Sequence, residues 1–564
     1  MTAASIKHFA AYGAPIAGRD YNAVDMSQQM LHQVYLPPYR AGVDAGALTV
    51  MSSFNSLNGV PASANRSLLT DTLRTDWGFR GMVVSDWGAV RELLNHSIAL
   101  DGATAASKAL HAGVDMDMEG DLYETHLAEL VQDGRIPIAE IDEAVRRVLR
   151  VKFTIGLFDH PYTETSAPYK ATPAKRALAR NVADETLVLL KNDSASEGHL
   201  LLPIASSQGS IALIGPLADS QEDMLGSWRS AADPHDAVTL RSALAEKMGN
   251  KLRYAKGTEI LTDSTAGFAE AEAAARQSDL VVMALGESGP DMTGESTSRA
   301  HLGLPGNQEQ LLEAIAQTGK PIVLVLFSGR PLAVPWAAQH IPSILEAWFP
   351  GMEAGHAITD VLFGDHSPTG RLPVSFPYSV GQEPLFYAQL PTGRPATVDL
   401  TGPVHKGVSR FNSRYIDEAT VPLYPFGWGL TYTTFSYGVP KLSCKELELS
   451  KVQSAVASGD STKELVGIDV ALTNTGASSG TEVVQLYIRN QGASVEQPVK
   501  ELKSFTRVAL KPQETRLVHL SLSAQDLAFY DQNVNNVIEP TRYTVFVGGN
   551  AATANAAQFT ITPQ

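Results

Sequence analysis

Two carboxylates stand where carboxylates could react. Asp86 follows the apolar run Met82-Val83-Val84-Ser85, which Gly81 opens and which Trp87, Gly88 and the helix-like Ala89–Leu94 continue. A run that short, rich in valine and closed by a loop and helix, reads as a buried parallel strand. The C-terminal end of such a strand is where β/α proteins carry catalytic side chains. Glu295 lies in the Gly- and Ser-rich stretch from Gly294 to Pro305, past a strand ending at Leu285. Two acids, one ionised as nucleophile or base and one protonated, are what glycoside cleavage requires. Each has a plainer reading. Asp86 could equally cap the helix after it, and a lone loop glutamate such as Glu295 is ordinarily solvated surface. Lys7-His8, at a strand end, could be a structural pair or a phosphate contact. No His/Cys/acid cluster has a recognised metal-ligand spacing, and no Gly-rich dinucleotide or Walker fingerprint follows a strand. Gly286-Glu287-Ser288-Gly289-Pro290 is not a nucleophile elbow, because its final glycine is displaced.

The elements that must position these residues alternate as strand and helix. Residues 1–157 read as a strand at Ser5–Phe9, a helix from Asp25 to Gly46, and a strand at Leu48–Phe54. A helix at Ser67–Trp77, the Asp86 strand and a strand at Gly113–Met118 follow, with helices near 121–133 and 138–152. The helix from Asp25 is expected to be capped by Asp25-Met26-Ser27. About four strands are visible, whereas a closed β/α barrel needs about eight. A linker at 158–175 leads to a second α/β region over 176–385, with strands at Leu187–Leu190, Ser210–Ile214, Leu280–Leu285, Pro321–Phe327 and Ile344–Trp348. Residues 386–435 are punctuated by Pro and Gly and read as a long loop and linker. From 436 to 564 alternation and turn signals such as Asn474-Thr475-Gly476 indicate an immunoglobulin- or fibronectin-like β-sandwich, structural rather than catalytic.

The 564 residues carry a net charge of −16, which argues against nucleic acid or an anionic membrane as the main partner. A neutral ligand such as a sugar fits that balance. With a single cysteine, Cys444, no intrachain disulfide can form. No signal peptide is visible at Met1-Thr2-Ala3-Ala4-Ser5, and no apolar run is long enough to span a membrane.

Several ordered blocks resemble glycoside hydrolase family 3. They are Lys7-His8-Phe9, Val50–Gly59, Gly81–Trp87, Phe327–Leu332, Leu372–Pro377 and Tyr424–Tyr432. Their order is similar to that in the family's bacterial periplasmic β-glucosidases, from about residue 5 to the C-terminus. The resemblance implies a multidomain α/β plus β protein: part of a (β/α)8-type barrel, an α/β sandwich and a C-terminal fibronectin type III-like domain. It implies hydrolysis of terminal β-D-glucosyl residues with retention, through a covalent glycosyl-enzyme and without cofactor or metal. Asp86 matches the nucleophile. Glu295 matches the acid/base, with Arg299 four residues on and Leu304-Pro305 following; Glu287 is the fallback acid. Lys7 and His8 match residues holding sugar hydroxyls, Met51 and Phe54 the wall of that subsite, and Trp87 an aromatic against the leaving sugar. Phe54 stands where many members carry Tyr. A periplasmic or secreted location, and a β-glucoside or oligosaccharide as partner, follow from the same resemblance.

Two departures qualify it. The family's Asp and Arg contacts from early barrel strands have no counterpart, and the block after His8 lacks the Asp-Ser-His element of the N-acetylglucosaminidases. The residue pattern agrees with a retaining pair, whose carboxyls stand ~5–5.5 Å apart. Asp86 is expected to stay ionised, helped by Lys7, and Glu295 to be raised by an apolar wall and the Asp86 charge. A β-xylosidase or mixed β-glycosidase is the alternative, and a catalytically impaired carbohydrate-binding fragment is a third reading. With its N-terminal barrel half absent, the strand at Ser5–Phe9 would expose an unpaired edge. The expectation is a weak catalyst that is a homodimer or larger, or that pairs with the missing region.

Overall fold

The computed structural model describes residues 2–162, 170–196, 199–205, 207–230, 232–396, 411–458 and 460–563. Parts of the 158–175 and 386–435 linkers therefore lie outside the described residues. The chain divides into two compact units, one of residues 1–169 with Phe529–Val537, the other of residues 170–528 with Ile538–Gln564.

In the first unit, β1 (Ser5–Phe9), β2 (Thr49–Ser52) and β3 (Met82–Val84) form a three-stranded parallel sheet in that order. Val50 and Val83 pair in register and are buried with Phe9, Leu69, Leu73, Leu93 and Val114 in one apolar core. The expected helix from Asp25 begins instead at Gln28, because Ser27 is the residue whose hydroxyl accepts from Met30 N, at 3.0 Å. The strand expected at Gly113–Met118 reduces to one parallel bridge, Val84 to Met116. The cause is Asp115, whose buried carboxylate takes Val83 N at 2.8 Å, Arg74 at 2.6 Å and Arg147 at 2.9 Å. A side chain thus occupies a donor that a ladder would have used. Helices Leu122–Gln132 and Ile138–Thr154 close the segment near the expected positions.

In the second unit, β4 (Val188–Asn192), β5 (Ile211–Ile214), β6 (Leu252–Ala255), β7 (Leu280–Gly286), β8 (Ile322–Phe327) and β9 (Ser343–Glu346) form one sheet. Its order is β6-β5-β7-β8-β9-β4, parallel except for β4. Every residue of β7 and β8 is buried, as expected of central strands covered on both faces. Residues 423–430 are not a free linker. Trp428 Nε1 donates to Leu190 O at 2.9 Å, Leu430 bridges Leu189, and Tyr424 bridges Phe376. The C-terminal sandwich pairs Glu464–Asn474 with Thr515–Ser523, and Gly480–Gln491 with both Glu501–Leu510 and Arg542–Gly548. Val466, Ile468, Val470 and Leu472 alternate into its core. Its hairpin Phe529–Val537 departs from the expected boundary and packs in the first unit, where Tyr530 N donates to Gln33 Oε1 at 3.0 Å.

Candidate active site

The Asp86 turn is built by close backbone packing. Gly81 can only be glycine, since a Cβ there would sit 2.1 Å from Leu48 O and 2.6 Å from the Phe79 ring. β3 then delivers Ser85 into a fully buried position, where Ser85 N donates to Met116 O and Ser85 Oγ accepts from Met118 N, each at 2.9 Å. Gly88 N donates to Met118 O at 2.8 Å, so the turn carrying Asp86 is tied down on both sides.

Asp86 is only 7% exposed. Its Oδ1 accepts from Trp87 N at 2.8 Å, a bond to the next residue that caps no helix. Its Oδ2 is buried without a hydrogen bond, and His8 Nε2 stands 3.4 Å away. An unsatisfied buried carboxylate oxygen is costly and is chemically available. Among the described residues it is His8, not Lys7, that reaches this carboxylate; Lys7, from the same strand, is exposed. A run of rings extends from His8: Tyr12 at 4.9 Å between centroids, then Phe54 at 6.3 Å from Tyr12, with Tyr21 edge-on to Phe54 at 5.3 Å. Met51 is half-buried on β2, and Trp87 is 65% exposed beside Asp86. Tyr12 and Tyr21 were not singled out from the sequence, although Tyr12 stands in the block after His8. Tyr21 reaches Phe54 from a left-handed backbone position, φ +65°, that local pattern does not reveal.

In the second unit β7 delivers a different carboxylate. Glu287, one residue past the strand, is fully buried. Arg299 Nη1 donates to its Oε1 at 2.6 Å, Arg330 Nε stands 3.2 Å from the same oxygen, and Gly329 N donates to Oε2 at 3.2 Å. Glu287 is occupied as the centre of an ion cluster, a poor position for the fallback acid. Glu295 is exposed, in the turn after the short helix Gly289–Met292. Beside that turn lies Trp228, 70% exposed, whose Nε1 is 3.4 Å from where a Cβ on Gly294 would be. Sequence reading passed over this indole, which carries no local signal. No group of three or more His, Cys, Asp or Glu among the described residues could hold a metal ion. No helix among them is long and apolar enough to cross a membrane.

Comparison with known proteins bears on both units. Residues 1–151 match the glycosyl hydrolase family 3 N terminal domain, 187–432 the family 3 C-terminal domain, and 482–551 a fibronectin type III-like domain. The chain is 42% identical to a periplasmic beta-glucosidase of Salmonella typhimurium, over 98% of its own length and 73% of that protein's. It is 39% identical to a beta-xylosidase of Formosa agariphila, over 97% and 74% of the two chains. Among solved structures, the beta-glucosidase of Listeria innocua in complex with isofagomine superposes with a TM-score of 0.91 at 38% identity, covering 100% of this chain and 75% of that one. With the family's N-terminal and C-terminal domains matched in order, this chain belongs to glycoside hydrolase family 3 and is a glycoside hydrolase.

Proposed function

We infer that the enzyme is a retaining β-glucosidase releasing terminal β-D-glucosyl residues. The observation that carries the reading is Asp86: a buried strand-end carboxylate with one oxygen bonded to Trp87 N and the other held near His8 without a hydrogen bond. In the first step that oxygen attacks the anomeric carbon as the bond to the leaving oxygen breaks, and Glu295 gives the leaving oxygen its proton. In the second, Glu295, now a carboxylate, takes a proton from the water that displaces Asp86. His8 orients the nucleophile and a sugar hydroxyl, Lys7 hydrogen-bonds a further hydroxyl, Met51 and Phe54 wall the sugar, and Trp87 lies against the leaving group. The Salmonella typhimurium relative, named a periplasmic beta-glucosidase, also supports a periplasmic or secreted location.

Identity to the Formosa agariphila beta-xylosidase favours β-xylosidase as the second reading. Two measurements test the pair of readings. Proton NMR during hydrolysis of an aryl β-glucoside is expected to show β-glucose appearing first; α-glucose first would contradict retention. kcat/KM is expected to be higher on aryl β-glucoside than on aryl β-xyloside, and the opposite order would reassign the substrate.

A further inference from the structure

The ion cluster around Glu287 reaches beyond the end of its strand. Arg299 Nη2 donates to Gly303 O at 2.8 Å, while Arg330 Nη2 donates to Met292 O at 2.5 Å and to Thr297 O at 3.2 Å. These carbonyls bracket Glu295 on both sides. Gly329 lets the neighbouring loop pass close, since a Cβ on it would sit 2.9 Å from Thr293 Cβ. Within the segment, Thr293 Oγ1 donates to Gly289 O at 2.6 Å and Thr297 Oγ1 to Gly294 O at 2.8 Å. Glu346, at the end of β9, is a second buried carboxyl nearby. Burial, and then the Glu287 charge, push it well above the usual carboxylate range. Its Oε1 accepts from Trp348 N at 2.9 Å and Ser328 Oγ at 3.2 Å, and both guanidinium groups pair with Glu287.

We propose that Glu287, Arg299 and Arg330 are positioning residues for proton transfer: together they fix the backbone on either side of Glu295 and thereby set where its carboxyl meets the leaving oxygen. The proposal rests on the reading of Glu295 as acid/base. A carboxyl that shuttles a proton must stand within hydrogen-bond reach of the reacting oxygen, and a misplacement of about 1 Å can cost on the order of 100-fold in rate. Loosening the cluster should therefore harm the step that needs a proton and spare the step that does not.

Arg330→Lys is the test, because lysine keeps the charge beside Glu287 and loses the planar fork that spans Met292 and Thr297. Arg299→Lys is the second variant and Glu295→Ala the control. kcat/KM, which reports the first covalent step, is measured on phenyl β-glucoside, whose leaving group needs protonation, and on 2,4-dinitrophenyl β-glucoside, whose leaving group does not. The expected result for Arg330→Lys is a fall of about 10- to 100-fold on the phenyl substrate, with the dinitrophenyl substrate within about threefold of the parent. Equal loss on both substrates, loss on neither, or failure of both lysine variants to fold overturns the proposal. If Glu295→Ala lacks the leaving-group signature, the acid/base reading itself has failed. If Glu295→Ala shows it and folded Arg330→Lys does not, the positioning role alone has failed.

Discussion

Strands β3 and β7 lead to carboxylates of opposite character. Asp86 and Glu287 both follow buried parallel strands, and both are buried. Glu287 has its charge matched by two guanidinium groups and a backbone N–H, whereas Asp86 holds one hydrogen bond to its neighbour and leaves Oδ2 open near His8. A strand end therefore places an acid without assigning it a reaction. Between these two, the reactive candidate is the one that keeps a buried oxygen without a hydrogen bond beside a histidine, at a cost in stability.

Substitution separates the two most sharply. Asp86→Asn is expected to lower kcat by on the order of 1,000-fold or more while the thermal midpoint stays within a few degrees. Glu287→Gln should act on stability first, with its loss of activity falling on substrates whose leaving group needs a proton. It leaves the half-buried Arg299 and Arg330 without a carboxylate, and the expected loss in urea unfolding is about 3 kcal/mol. If Asp86→Asn unfolded the protein and Glu287→Gln left stability untouched, the contrast between the sites would be inverted.

On the Asp86 side the contrast depends on His8. His8→Ala removes the imidazole 3.4 Å from Oδ2 and the first ring of the Tyr12, Phe54 and Tyr21 series. In the proposed mechanism this removes a group that orients both the nucleophile and a sugar hydroxyl, so kcat/KM on an aryl β-glucoside should fall about 10- to 100-fold. Lys7→Ala should cost less if the hydrogen-bonding role resides mainly in His8. An equal or larger loss for Lys7→Ala would move that role to the lysine.

The smallest expected effect comes from a buried carboxyl outside either site. Asp184 lies on helix Pro173–Thr186 beside Asp360, which Arg180 clamps with two bonds of 2.5 Å, and Asp184 Oδ1 has no hydrogen bond. Burial, and then the Asp360 charge, push Asp184 from 3.8 up to about 7. The folded protein keeps a proton that the unfolded chain has already released, so stability falls as pH climbs through that window. Asp184→Asn should be more stable than the parent at pH 8 by roughly 1–2 kcal/mol and no different near pH 4. Calorimetry at both pH values checks it. A destabilised variant at pH 8 would mean that the ionised Asp184 has a partner which matters.

Much of this architecture was legible in local pattern. Short apolar runs ending in polar residues located β2, β3, β7 and β8, because parallel strands covered on both faces read as nearly continuous apolar runs. The Gly113–Met118 strand was misread because Asp115 finds Arg74 and Arg147, partners far along the chain. The same limit applies to the cluster at Glu287. Arg299 was visible only as a spacing from Glu295, while its ion pair depends on how β7 and β8 bring their ends together. Side chains whose meaning is set by distant partners, Tyr12, Tyr21, Trp228 and Arg330 among them, leave no periodic trace.

In the proposed mechanism Asp86 becomes covalently bonded to the sugar. Incubation with 2-deoxy-2-fluoro-β-glucosyl fluoride, followed by proteolysis and tandem mass spectrometry, reads this out directly. The expected result is one fluoroglucosyl group per chain, on the peptide containing Ser85-Asp86-Trp87 and on Asp86 itself. A label on Glu287, Glu295 or any other residue, or turnover of aryl glucosides by Asp86→Asn at the parent's rate, would contradict it.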